Sequence, residues 1–213
     1  MNITIKAVNE SEAERYLELL SNEELDRAKS YKGKSDYLAS VVAHGTKREL
    51  LSKLLNCKPN DITFGKGKYG KPFVKNSKNI YFNLSHSEGY VAIATSRNKD
   101  IGIDIDFEKK DNFSSNFEMI LTRNEIDEYK KIQYKKYYLL KKWVIKESIT
   151  KANGTGLYSD FRKITLREYT YEKSLSNAII DGKYFFSKLF TFKKGFFSVA
   201  SSRNIKSISI NYL

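Results

Sequence analysis

Apolar and polar residues alternate from Ile3 to Val8, which predicts a strand, and the spacing becomes helical from Glu10 to Leu20. Ser21-Asn22-Glu23-Glu24 has the form of an N-cap followed by an acidic first turn. Leu38, Val41, Val42, Leu50, Leu51, Leu54 and Leu55 then trace the apolar face of a long helix that ends near Pro59. Short runs at Asp61 to Phe64, Ile80 to Leu84, Tyr90 to Thr95 and Ile101 to Ile105 predict strands, separated by turns rich in Gly, Asn and Lys. The pattern then starts again. Helical stretches cover Asn124 to Lys131 and Tyr134 to Ala152. Strands follow at Ile164 to Tyr169, Ala178 to Ile180, Tyr184 to Phe192, Phe196 to Ala200 and Ser207 to Ile210. Helices followed by strands, twice over, predict an α+β fold.

An internal repeat sharpens that division. The ten residues from Gly89 to Asn98 match those from Gly195 to Asn204 at an offset of 106, almost half the chain, and five of the ten pairs are identical. Duplication of one α+β unit accounts for this, with lobes at 1–106 and 107–213. After the repeat the copies diverge. The first continues as Gly102-Ile103-Asp104-Ile105-Asp106, the second as Ser207-Ile208-Ser209-Ile210 with no acid. Any carboxylate chemistry therefore belongs to one copy.

Composition narrows the class. With 213 residues, 13 Phe and 15 Tyr, the chain is long and apolar enough to bury a core. It has no apolar run of membrane-spanning length, and Met1 to Tyr16 lacks the apolar centre of a signal peptide, so a cytoplasmic protein is expected. A single Cys57 excludes an internal disulfide framework, and with only His44 and His86 beside it no Cys-rich zinc site can form. A metal would need carboxylates. The formal net charge of +13 calls for an anionic partner, and it is uneven: −5 over residues 1–26, +10 over 27–78, −2 over 79–106 and +10 over 107–213. Two basic walls around a carboxylate-lined site fit this distribution, as do simple solvated faces.

Asp104 and Asp106 are the most pointed feature. Alternate residues of a strand share a face, so these carboxylates lie on one side about 7 Å apart, with the Ile side chains on the other. Such a pair suits Mg²⁺, a hard ion that shares its sites with substrate phosphates; it is equally what a half-exposed strand presents to water. Glu147 and Lys151 are four apart on the second long helix, and so share a face. Lys151-Ala152-Asn153-Gly154-Thr155-Gly156-Leu157 then ends that helix in a tight turn. Phe82-Asn83-Leu84-Ser85-His86-Ser87 ends a strand at hydroxyl and imidazole groups suited to a phosphate oxygen. Gly65 to Lys71 reproduces the first seven positions of a P-loop, but Pro72 stands where Ser or Thr should follow, so a nucleotide hydrolase of that type is rejected.

Taken in order, Tyr69-Gly70-Lys71-Pro72, Phe82 to Ser87, Gly102 to Asp106, Trp143 to Glu147 and Lys151 to Leu157 resemble the 4′-phosphopantetheinyl transferases, specifically the two-lobed type associated with surfactin synthetase. Weaker similarity reaches back to Arg27 and includes the spacing of His44 and Arg48. The resemblance implies two similar lobes related by pseudo-twofold symmetry, with coenzyme A and Mg²⁺ between them. It implies transfer of the 4′-phosphopantetheine arm of coenzyme A to a serine of an apo acyl or peptidyl carrier protein, with release of adenosine 3′,5′-bisphosphate.

By the same resemblance the metal ligands are Asp104, Asp106 and Glu147, and Arg27, Ser40, Lys71, Ser85, His86 and Lys151 hold coenzyme A. Lys151 also stabilises charge during transfer, and Glu125 or Glu147 removes the serine proton. Asp36-Tyr37-Leu38 departs from the Arg-rich pattern of relatives. Residues 129–151 carry 8 Lys and one acid, so Lys135, Lys136 and Lys141 are the expected docking face for an acidic carrier. Neither nucleic acid nor membrane is an expected partner, and internal duplication favours a monomer. A nucleic-acid-binding module and a different Mg²⁺ phosphotransferase or hydrolase remain the alternative classes at this stage.

Overall fold

A computed structural model describes residues 1–75, 77–97, 99–108, 117–168 and 174–213. The first lobe runs β1 (Asn2–Ala7), α1 (Glu10–Tyr16), α2 (Asn22–Lys29), α3 (Lys34–Leu55), a short hairpin of β2 (Phe64–Lys66) and β3 (Pro72–Val74), then β4 (Ile80–Ser87) and β5 (Tyr90–Arg97). The second runs β6 (Gly102–Phe107), α4 (Phe117–Ile120), α5 (Arg123–Lys131), α6 (Lys135–Asn153), β7 (Arg167–Glu168), β8 (Leu175–Ile180), β9 (Lys183–Phe192) and β10 (Gly195–Ser201). The last strand, β11 (Ser209–Tyr212), returns to the first lobe and pairs parallel with β1.

The two sheets have the orders β11-β1-β5-β4 and β6-β10-β9-β8-β7. The repeated segments are β5 and β10, each inside its sheet, each preceded by its hairpin partner β4 or β9. β1 lies antiparallel to β5 as β6 lies antiparallel to β10, so the pseudo-twofold relation extends from sequence to ladder. The sheet partner of β6 is β10, so a boundary after Asp106 cuts through a strand of the second sheet.

Each long helix buries its apolar stripe on its own sheet: Val41 and Val42 of α3 against Val91 and Ile93, and Val144 and Ile149 of α6 within the cluster that holds Phe185 and Phe196. A third cluster joins the lobes, with Ile3 and Ile5 meeting Ile103, Ile105, Phe197 and Val199. β6 thus sends its Ile side chains into the shared core, as alternation predicts, and its Asp side chains to the opposite face.

Local chemistry explains the differences from the sequence pattern. Asp61 does not begin a strand: Pro59–Asp61 forms a 3₁₀ turn, started by a proline whose missing N–H is not needed there, and the strand opens at Phe64. Ile164 follows another such turn, Phe161–Lys163, capped by the Asp160 carboxylate, which leaves Arg167–Glu168 as the strand; Tyr169 and Asn98 lie outside the described residues. The stretch from Gly65 to Lys71 is a hairpin closed by Gly67 N–H to Lys71 O at 2.8 Å, and β3 rather than a helix follows it. Among the described residues no helix is long and apolar enough to cross a membrane.

Candidate active site

β4 and β6 are the edge strands of their sheets, and they meet at the junction of the lobes. No backbone ladder joins them. Side chains do: Asn83 Oδ1 accepts from Ile103 N at 2.9 Å, Ser85 Oγ donates to Asp104 Oδ1 at 2.7 Å, and Ser87 Oγ donates to Asp106 Oδ1 at 2.6 Å. Positions 83, 85 and 87 share one face of β4, and 104 and 106 share one face of β6, so a period of two on both strands builds the contact. The period of two places Ser87 on the face of β4 that Ser85 shares, but its contact with Asp106 arises only where the two sheets meet.

α6 brings the remaining groups. It lies directly on β6: a Cβ at Gly102 would sit 2.0 Å from Ser148 O and 2.3 Å from Ala152 N, so only glycine permits the approach. Glu147 and Lys151 then overhang Asp104. Lys151 Nζ donates to Asp104 Oδ1 at 2.7 Å and lies 3.9 Å from Glu147 Oε2. Burial raises the pKa of Asp104, against the opposing pull of Lys151. It pushes Glu147 up to about 7. Burial alone would lower Lys151, but Asp104 and Glu147 together hold it above its ordinary value.

A cavity of about 950 Å³ opens in the first lobe and reaches β4 at Asn83, Leu84 and His86, the neighbours of Ser85. Arg27, Ser40 and His86 line it, as do Tyr31, His44 and Arg48. Burial lowers the pKa of the His86 ring, and the cations Lys151 and Arg27 act the same way against Asp36. Gly70 and Pro72 form part of the wall, while the Lys71 side chain between them crosses to the second lobe and donates to Ala152 O at 2.8 Å. Burial brings Lys71 down to about 8. Ser85 spends its hydroxyl on Asp104, and its neighbours Leu84 and His86 face the cavity.

The wall depends on Glu24, a residue that the sequence marked only as part of a helix start. Glu24 completes a capping box with Ser21, and its buried carboxylate also binds Lys47 Nζ and accepts from Arg48 Nε at 2.7 Å. Arg48 Nη1 donates in turn to Pro59 O at 2.6 Å and Ile62 O at 3.2 Å. One carboxylate therefore ties α2, α3 and the segment leading into β2.

Glu125 is placed differently from Glu147. Its Oε2 accepts from the Thr122 amide at 2.8 Å and from Lys146 Nζ at 2.6 Å, while Oε1 lies 3.5 Å from Lys142 Nζ. Lys146 is fully buried and also donates to the carbonyls of Ile120 at 2.8 Å and Phe161 at 3.1 Å. Lys146 and Glu147 are neighbours on α6, so they diverge by about 100° around the helix axis. The Glu125 carboxylate is bound on the Lys146 side, whereas Lys151 and Asp104 lie with Glu147.

Among the described residues no three His, Cys, Asp or Glu side chains converge as they stand to hold a metal ion. Lys151 bridges Asp104 and Glu147 instead. The donor set itself still suits a hard divalent cation. It offers carboxylate oxygens only, and desolvation raises the pKa of the two buried members, a penalty that a cation would relieve.

Comparison with known proteins fits this architecture. Residues 8–98 match the family described as 4′-phosphopantetheinyl transferase, N-terminal, and residues 100–194 match the 4′-phosphopantetheinyl transferase superfamily. The 4′-phosphopantetheinyl transferase gsp of Aneurinibacillus migulanus is 30% identical over 83% of this chain and 73% of its own. The 4′-phosphopantetheinyl transferase Sfp of Bacillus subtilis is 29% identical over 71% of this chain and 68% of its own. A solved holo-(acyl-carrier-protein) synthase from Bacillus anthracis overlays 48% of this chain and 92% of its own, with 24% identity and a TM-score of 0.40. The two lobes, met at an acidic strand edge, are those of a phosphopantetheine-transferring enzyme. The chain belongs to the 4′-phosphopantetheinyl transferase superfamily.

Proposed function

We propose that this chain transfers the 4′-phosphopantetheine arm of coenzyme A to a serine of an apo acyl or peptidyl carrier protein, at the junction of β4, β6 and α6. The observation that carries the reading is the meeting of Asp104, Glu147 and Lys151 of the second lobe with Ser85 of the first, whose neighbours Leu84 and His86 line a basic-walled cavity of about 950 Å³. Arg27, Ser40, His86 and the hairpin bearing Lys71 would hold the nucleotide and its phosphates there, with Ser85 acting through Asp104. Asp104, Asp106 and Glu147 would hold Mg²⁺, which when bound neutralises charge on the diphosphate.

In the reaction the serine oxygen bonds to the phosphorus that carries pantetheine, and the bond from that phosphorus to the bisphosphate breaks. The chain has to position the two reactants and offset negative charge on the departing phosphate, and in this reading Lys151 and Lys71 supply that positive charge. Of the two acids considered for the serine proton, we assign Glu147. Its side chain adjoins Lys151, which in turn binds Asp104 at the strand edge. Glu125 is engaged by Lys146 and its own helix cap, and would act by fixing α5 against α6.

A cytoplasmic setting and a monomeric state belong to the same proposal, supported by the single cysteine and the internal repeat, and the two lobes divide before β6 rather than at 106. The test is incubation with coenzyme A, Mg²⁺ and a panel of apo carrier proteins, followed by intact mass measurement. A gain of one phosphopantetheine is expected on at least one carrier and none without Mg²⁺. Turnover of coenzyme A with no modified protein would point to a hydrolase instead.

A further inference from the structure

Ser87, the last residue of β4, supplies a hydroxyl that the proposed reaction does not use. It donates to Asp106 Oδ1 at 2.6 Å across the junction of the lobes, and the Phe107 amide donates to the same oxygen at 2.9 Å. Two donors on one carboxylate oxygen hold the group in one orientation. That matters for a small divalent cation, which demands near-octahedral geometry from its oxygen ligands.

Both ends of the contact are fixed by their own sheets. Ser87 pairs with Tyr90 at the base of a two-residue turn, where Glu88 and Gly89 have φ of 46° and 75°. Positive φ at both central positions gives a turn whose twist matches the flanking strands, so the end of β4 is held in register. Asp106 pairs with Phe196 of β10, and the chain packs so closely there that a Cβ at Gly195 would lie 2.3 Å from Asp106 O. Serine and aspartate side chains are short, so their hydrogen bond forms only when the two strands lie at this separation.

β4 sorts its side chains by face. Leu84 and His86 line the cavity, whereas Ser85 and Ser87 cross to Asp104 and Asp106. Each aspartate of the second lobe thus takes a hydroxyl from the first. Holding the strands together does not depend on Ser87, because Asn83 Oδ1 accepts from Ile103 N and closes the same junction through the backbone of β6.

We propose that Ser87 is a positioning residue, whose hydroxyl aims the Asp106 carboxylate at the divalent cation and so makes cation affinity depend on how β4 lies against β6. This rests on the proposed transferase reading, in which Asp106 is a cation ligand. Ser87 acts through Asp106 and points away from the cavity face of β4, so its loss should spare the binding of coenzyme A itself.

The test uses Mn²⁺, a paramagnetic ion with the same preference for oxygen ligands. It is titrated into the full chain with saturating coenzyme A, and the free ion is followed by electron paramagnetic resonance against a protein-free coenzyme A blank. Calorimetry measures coenzyme A affinity in chelator, and both measurements are made on the unaltered chain, Ser87→Ala and Ser87→Thr, each checked by circular dichroism. Ser87→Ala is expected to weaken Mn²⁺ binding about tenfold or more, with coenzyme A affinity in chelator unchanged. Ser87→Thr keeps the hydroxyl on a side chain that suits a strand, and is expected to stay within about twofold of the unaltered chain. Unchanged Mn²⁺ affinity in Ser87→Ala overturns the proposal. So does an equal loss of both affinities, which would make Ser87 a brace of the junction, and so does a Ser87→Thr as weak as Ser87→Ala. With transfer intact in the unaltered chain, any of these three removes the role of Ser87 and leaves the transferase reading standing. If the unaltered chain binds no Mn²⁺ above the blank, the cation assignment fails first and the role of Ser87 with it.

Discussion

At the scale of single residues, Glu147 is the group whose surroundings most alter its chemistry. Burial lifts its pKa from 4.5 to about 7, so the folded chain holds its proton more tightly than the unfolded chain does. Its contribution to stability is therefore full below pH 4.5 and is lost as pH rises through about 7, on the order of 3 kcal/mol in total. Glu147→Gln should abolish that loss, so that the non-titrating variant melts higher than the parent at pH 8 and close to it at pH 5. Thermal denaturation across that range measures the difference, and parallel curves would show that Glu147 does not titrate in this window. Turnover of Glu147→Gln should fall about 100-fold or more in the carrier assay if its carboxylate removes the serine proton.

Secondary-structure elements set how closely these groups meet, and here two residues control the spacing. Gly102 lets α6 lie on β6; Gly102→Ala would press a Cβ into backbone atoms of Ser148 and Ala152. Overpacking of this kind costs about 1–3 kcal/mol, and because it lifts the helix carrying Glu147 and Lys151, turnover should drop more than stability does. Urea titration and the mass assay on one preparation separate the two effects.

In the first lobe, burial would raise the pKa of Glu24, but His44 and Lys47 more than reverse this and hold it well below the carboxylate range. Stability from Glu24 is thus present above pH 4.5 and lost as pH falls through its folded value. Glu24→Gln would leave Lys47 and Arg48 buried without their counter-charge, a loss of about 3–5 kcal/mol. It should also weaken coenzyme A binding, since Arg48 and His44 line the cavity. Calorimetric titration of the variant with coenzyme A checks this.

For the whole molecule, the net charge of +13 is what a small polyanion and an acidic protein would both meet. Binding to the folded chain alone raises the melting temperature, so coenzyme A should stabilise the protein, and more strongly with Mg²⁺ than without it. Coenzyme A that stabilises equally in Mg²⁺ and in chelator would remove the metal from the proposal. Bulk polynucleotide, which would bind through charge alone, should give only a salt-sensitive shift that is abolished near 0.2 M salt.

The two helix-and-strand units, the central repeat at Gly89 and Gly195, the face shared by Asp104 and Asp106, and the i,i+4 pair Glu147 and Lys151 were all legible along the chain, because each depends on spacings of two or of about four within one element. What no local spacing contains is the distance between elements. That Ser85 would spend its hydroxyl on Asp104, that Lys71 would cross to the end of α6, and that Tyr69 would meet Tyr158 depend on how two sheets pack over one shared core, and that Glu125 would be bound by Lys146 depends on how α5 docks on α6. The amino-acid sequence determined which groups the site contains. Only the packing of β4, β6 and α6 decided which of them touch, because burial and hydrogen bonding between lobes arise when the folded surfaces close on each other.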